Sequence, residues 1–77
     1  MTIKAVDLFC GVGGLTCGLQ KAGIPVVAGI DIDGSCEYAY THNNHSQFIK
    51  KSIDEVTGKE VRALLRGADV KVLVGCA

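Results

Sequence analysis

The segment Asp7-Leu8-Phe9-Cys10-Gly11-Val12-Gly13-Gly14 follows an apolar run and places glycines at positions 11, 13 and 14. Glycine lets backbone come close to a ligand, and a helix that starts there presents unpaired N–H groups to an anionic part of it. A tight turn between a strand and a helix needs fewer glycines, so the segment reads as a ligand loop. Asp31 closes a second apolar run. An acidic residue there accepts hydrogen bonds from ribose hydroxyls. The pair therefore points to a nucleotide-like ligand.

The dinucleotide fingerprint G-x-G-x-x-G requires glycine at position 16, which is Thr16 here. Gly18 falls two positions late and instead lets the first helix pack close to the sheet. Asp31 suits either a dinucleotide or an adenosyl ligand. Asp7, four positions before the G-x-G, tilts the reading towards S-adenosylmethionine.

The elements that must position these residues alternate along the chain. Ile3 to Phe9 is β-branched and apolar and predicts a buried strand. From Gly14 a helix with Leu15, Leu19 and Ala22 on one face runs to Gly23. Pro25 introduces a strand over Val26 to Ile30. Asp33 caps a helix over Gly34 to Thr41, with Cys36, Ala39 and Tyr40 on its inner face, and His42 to His45 reads as a loop. Gln47 to Lys51 is a short strand. Thr57 with Glu60 forms a capping box that opens a helix with Val61, Leu64, Leu65 and Ala68 inward, closed by Gly67. Val70 to Val74 is the last strand. This β-α-β-α-β-α-β order implies a parallel sheet with covering helices and right-handed crossovers.

A chain of 77 residues with 48% hydrophobic content and mean hydropathy +0.31 builds a packed interior, though a small one. Eight basic residues balance eight acidic ones. A module that grips a nucleic-acid backbone alone carries an excess of Lys and Arg. Any nucleic-acid contact must therefore come mainly from elsewhere. Cys10, Cys17, Cys36 and Cys76 form no C-x-x-C pair and no zinc spacing, and read as reduced thiols of a cytoplasmic protein. His42 and His45 lack companion ligands and flank a polar turn, so no metal is expected. Lys50-Lys51 is too short for a nucleic-acid patch, and Tyr38 and Tyr40 read as helix-face residues. No signal-peptide pattern precedes the first apolar run, and no apolar stretch is long enough to span a bilayer.

The run from Asp7 to Leu15, followed by Gly18-Leu19 and Ala22-Gly23, resembles the first signature block of DNA cytosine-5 methyltransferases. The spacing from Phe9 to Asp31 fits as well. The resemblance implies the N-terminal half of a Rossmann-like S-adenosylmethionine-dependent methyltransferase fold, class α/β, with sheet order 3-2-1-4 and helices on both faces. It implies that Phe9 packs on adenine, and that the loop of Cys10, Gly11, Gly13, Gly14 and Leu15 holds the methionine portion. Asp31 would bind the ribose and Ile32 lie against the ring. Ser52-Ile53 stands where the family has Asp-Ile. The adenine amino group then meets Ser52 or, by a swing of the next loop, Asp54.

Leu73-Val74-Gly75-Cys76-Ala77 resembles the approach to the family's Pro-Cys motif, and Gly75 is counted with the cofactor residues. In that motif cysteine adds to carbon 6 of a flipped cytosine, which makes carbon 5 nucleophilic. Cys76 lies three places too early and lacks the proline, so the catalytic cysteine is expected just after Ala77. Residues 1–77 are accordingly expected to form the front part of a catalytic domain and to be inactive alone. DNA would be met through the remainder of the enzyme, whose C-terminal part would pair against strand 70–74. The rival readings are an NAD- or FAD-binding segment of an oxidoreductase, and a truncated fragment with no function.

Overall fold

The computed structural model describes residues 1–75. In chain order the elements are β1 (Ile3–Leu8), α1 (Gly14–Lys21), β2 (Val26–Asp31), α2 (Glu37–Asn43), β3 (Gln47–Lys50), α3 (Gly58–Leu64) and β4 (Val70–Gly75). Short 3₁₀ turns at Gly34–Cys36 and Ile53–Glu55 lead into α2 and α3. All strand pairs are parallel, and the sheet order is β3-β2-β1-β4. The alternating pattern and the expected order 3-2-1-4 are both found.

Strand alternation sends side chains to two layers. Val6 and Ile30 pack with Leu65, just past α3, and with Leu8, Ile49, Val61 and Leu64 around them. On the opposite face Tyr40 of α2 packs with Phe48 and Cys10. Its ring meets Phe48 edge-on, with centroids 5.7 Å apart. Gly29 of β2 gives Tyr40 its seat, since a Cβ there would lie 2.5 Å from the ring carbon Cζ. Helices therefore cover both faces.

Helices of seven or eight residues are marginal by themselves and depend on caps and packing. The capping box at α3 forms in both directions between Thr57 and Glu60. Asp33 accepts from the Ser35 backbone N–H at 3.0 Å and caps the 3₁₀ turn at Gly34–Cys36 rather than α2 itself.

Several local expectations need correction. Gly18 is exposed, with nothing within 4 Å of where a Cβ would stand, so it does not seat α1 on the sheet. The stretch read as one helix from Gly34 begins as a 3₁₀ turn, and α2 starts only at Glu37. His42 and Asn43 belong to α2 rather than to a loop. There His42 stacks on Tyr38 one turn earlier, with centroids 5.3 Å apart. On α1 the stripe of Leu15, Leu19 and Ala22 is not the buried one. Leu15 is 42% exposed, whereas Thr16 is fully buried. The face of α1 turned inward is the one that carries Thr16, whose hydroxyl is hydrogen-bonded to Asp7.

Candidate functional site

In open α/β sheets ligands bind beyond the carboxyl ends of the strands. Here that region holds a cleft lined by Phe9, Ile30, Asp31, Ile32, Lys51, Ser52 and Ile53. Five of these residues, Phe9, Asp31, Ile32, Ser52 and Ile53, are candidates from the sequence.

Phe9 follows β1 directly and has φ +56°, the left-handed conformation that side chains rarely adopt. Holding a non-glycine residue there costs about 1–2 kcal/mol. The next residues supply compensating bonds. Cys10 N–H donates to the Ile30 carbonyl at 3.2 Å, and Gly13 N–H donates to the Cys10 carbonyl at 2.9 Å. Phe9 is left 44% exposed on the cleft wall.

Asp31 ends β2 and uses both carboxylate oxygens on backbone. Oδ2 accepts from Gly11 N–H at 2.9 Å and Oδ1 accepts from Asp33 N–H at 2.9 Å. Ile32 stands beside it, 65% exposed. Across the cleft Ser52 caps a 3₁₀ turn, its Oγ accepting from Asp54 N–H at 3.4 Å. Asp54 itself is exposed and forms no part of the cleft wall. Lys51 is tied away by an ion pair to Glu60 at 2.8 Å. The arrangement is an apolar slot of Phe9, Ile32 and Ile53 with a carboxylate and a hydroxyl at its margin. Such a donor and acceptor set fits an adenosyl group, a flat ring on apolar walls and a diol beside a carboxylate.

The other candidates lie outside the cleft wall. Cys10 is buried against Tyr40 and Phe48, so its contribution to the loop is its backbone. Burial, with Asp7 and Asp31 nearby, pushes its thiol up to about 12. It is not a thiolate nucleophile at neutral pH. Gly13 sits at the helix cap with φ +95°, and a Cβ on it would run into the Asn44 amide and lie 2.8 Å from Tyr40 Cδ2. Its need for glycine is thus met by packing on α2. Gly14 opens α1 with free space where a side chain would go. Leu15 follows it on the exposed side. Gly75 ends β4 beside Leu8. Cys76 and Ala77 lie outside the described residues.

Beneath the loop runs a buried polar chain that the sequence did not disclose. Thr16 Oγ1 donates to Asp7 Oδ2 at 2.6 Å and lies 3.0 Å from the Tyr40 hydroxyl, which is 2.7 Å from Ser46 Oγ. Asp7 is 1% exposed, so it supports the loop from below and does not face the cleft. Asn44 is also buried, its amide donating to the Tyr40 carbonyl while its Oδ1 has no partner among the described residues. Partners nine and twenty-four residues apart leave no periodic signal that could have found them. Among the described residues no group of His, Cys, Asp and Glu is placed to hold a metal ion.

Comparison with known proteins bears on what the cleft serves. The curated relative M.HgiDII, a Type II methylase of Herpetosiphon aurantiacus, is 60% identical over 77 residues, all of this chain and 22% of its own length. The Type II methyltransferase M.XorII of Xanthomonas oryzae pv. oryzae is 36% identical over 75 residues, 94% of this chain and 18% of its own length. The chain thus spans about a fifth of these relatives. The crystal structure of the S. pombe Dnmt2 methyltransferase superposes with TM-score 0.71 at 25% identity, over 92% of this chain and 23% of that one. The profile of the C-5 cytosine-specific DNA methylases matches residues 3–77. With its glycine loop, its sheet order and that match, the chain belongs to the C-5 cytosine-specific DNA methylase family.

Proposed function

We propose that residues 1–77 form the S-adenosylmethionine-binding N-terminal part of a catalytic domain that methylates carbon 5 of cytosine in DNA. The observation that carries this is the convergence of Phe9, Asp31, Ile32, Ser52 and Ile53 on one cleft at the carboxyl end of the sheet. Phe9, Ile32 and Ile53 would sandwich the adenine. Asp31 would accept from the ribose hydroxyls through lone pairs its backbone bonds leave free. Ser52, on the cleft wall where Asp54 is not, is the side chain to meet the adenine amino group. Gly11, Gly14 and the backbone of Cys10 and Leu15 would face the methionine portion, with Gly13 shaping the turn and Gly75 flanking it from β4. When bound, the cofactor supplies an activated methyl group.

This chain's part is to bind and orient. The family's nucleophilic cysteine is assigned to residues beyond Ala77. DNA is contacted through the remainder of the enzyme, consistent with the balanced charge here. The C-terminal part of the same domain covers β4. No helix among the described residues is long and apolar enough to cross a membrane. The Type II relatives support a restriction-modification role, which we place in the cytoplasm. Against the NAD reading, Thr16 in place of the third glycine is buried and spends its hydroxyl on Asp7.

Calorimetry with S-adenosylhomocysteine and NAD tests the reading. Preferential binding of S-adenosylhomocysteine supports it, and equal or stronger binding of NAD overturns it.

A further inference from the structure

We propose that Asp31 is a positioning residue, holding the glycine loop in shape independently of any ribose contact. The inference rests on the cofactor reading above and deepens it. The carboxylate bridges two loops, Gly11 after β1 through Oδ2 and Asp33 after β2 through Oδ1, each at 2.9 Å. Gly11 has φ +53° and Phe9 has φ +56°, so left-handed residues stand on either side of Cys10. Backbone in sparsely populated conformations persists only where its surroundings fix it. Cys10 N–H on the Ile30 carbonyl fixes the middle of this stretch, and Gly11 N–H on Asp31 fixes its far side. Asp31 thereby determines where the Phe9 ring stands on the cleft wall that both residues share. A carboxylate offers about four acceptor sites. Two are used by backbone, and the others remain for a diol. Asparagine cannot substitute, because its NH₂ would face one of the two backbone N–H groups.

The test crosses Asp31→Ala and Asp31→Asn with two ligands, S-adenosylhomocysteine and its 2′,3′-dideoxy analogue. Amide exchange at Gly11 in the ligand-free chain is read alongside. If Asp31 positions the loop, Asp31→Ala speeds Gly11 exchange while β1 amides stay protected. It also weakens the dideoxy analogue by about tenfold, the worth of a hydrogen bond to a charged group. Asp31→Asn exposes the Gly11 or the Asp33 amide to exchange, and it serves as the test should the alanine variant not fold. Unchanged Gly11 exchange in Asp31→Ala, or unchanged exchange at both Gly11 and Asp33 in Asp31→Asn, overturns the proposal. So does equal affinity of wild type and Asp31→Ala for the dideoxy analogue, which would leave Asp31 with a ribose contact alone. A wild-type chain that binds neither ligand overturns the cofactor reading instead, and Gly11 exchange then decides the loop role unaided.

Discussion

Thr16 Oγ1 lies 2.6 Å from Asp7 Oδ2, and both side chains are buried beneath the glycine loop. This bond joins the end of β1 to the first turn of α1, and the Tyr40 hydroxyl at 3.0 Å extends it to α2. The three elements that frame the loop thus meet at one hydroxyl.

Replacing Thr16 with Val keeps the shape and removes that hydroxyl. Asp7 is then left buried without its donor, which should cost about 1–3 kcal/mol. Tyr40→Phe leaves Asp7 paired and should cost about 1 kcal/mol or less. Urea unfolding of both variants measures the difference. Equal losses would show that the Thr16–Asp7 bond has no special weight.

Burial raises the Asp7 carboxyl above its ordinary value of 3.8, with hydrogen bonds from Thr16 opposing part of the rise. The native state therefore holds this proton more tightly than the unfolded chain. Stability from this group is greatest at acid pH and declines as pH rises from 3.8 through the raised native value. Asp7→Asn retains an acceptor for Thr16 and should remove that decline. Asp33 and Glu60 act in the opposite sense. Their carboxyls are lowered, chiefly by hydrogen bonds from Ser35 and Lys51, and their contribution is lost as pH falls. Both are shared by wild type and variant, so they cancel in the difference. The stability of Asp7→Asn relative to wild type should thus increase with pH across this window. A difference independent of pH would remove Asp7 as a titrating group.

Gly13 and Gly14 should separate under substitution although they are neighbours. Gly13→Ala forces a left-handed alanine into the Asn44 amide and the Tyr40 ring. Overpacking of that kind costs about 1–3 kcal/mol, with about 1–2 kcal/mol more from the backbone. Gly14→Ala meets nothing within 4 Å and sits in a helix, where alanine is favoured by up to about 1 kcal/mol. Thermal unfolding should show the first variant strongly destabilised and the second unharmed. If Gly14 faces the cofactor, its variant should lose affinity for S-adenosylhomocysteine while keeping its fold.

Much of the fold was legible because local signals agreed with the global one. Thr57 and Glu60 announced α3, Asp33 announced the turn into α2, and the alternation of apolar runs announced a parallel sheet. Cleft residues were legible where a motif fixes them, as with Phe9 and Asp31. What escaped was polar and non-local. Thr16 registered only as the absence of a glycine, and Leu15 and Leu19 drew the inner face of α1 towards themselves. Tyr40 was legible as an inner-face residue of α2, but its hydroxyl contacts with Thr16 and Ser46 left no local signal.

β4 has β1 as its sole neighbour among the described residues, and Val70 and Leu73 are 38% and 55% exposed. Beside it an apolar groove runs between Leu8, Val56, Val61 and Leu73. A parallel strand with apolar side chains on both faces is built to be covered, and an open one invites pairing with another chain. The isolated chain should therefore self-associate in sedimentation, and amides of β4 that face away from β1 should exchange rapidly at low concentration. Leu73→Lys places a charge on the exposed face of the edge strand, a common device against such pairing. It should shift the chain towards monomer without loss of helix signal, because Leu73 lies outside both buried clusters. A wild-type chain that stays monomeric, with strong protection along Val70 to Val74, would show that this edge needs no cover. The proposed docking of a C-terminal part against β4 would then fail with it.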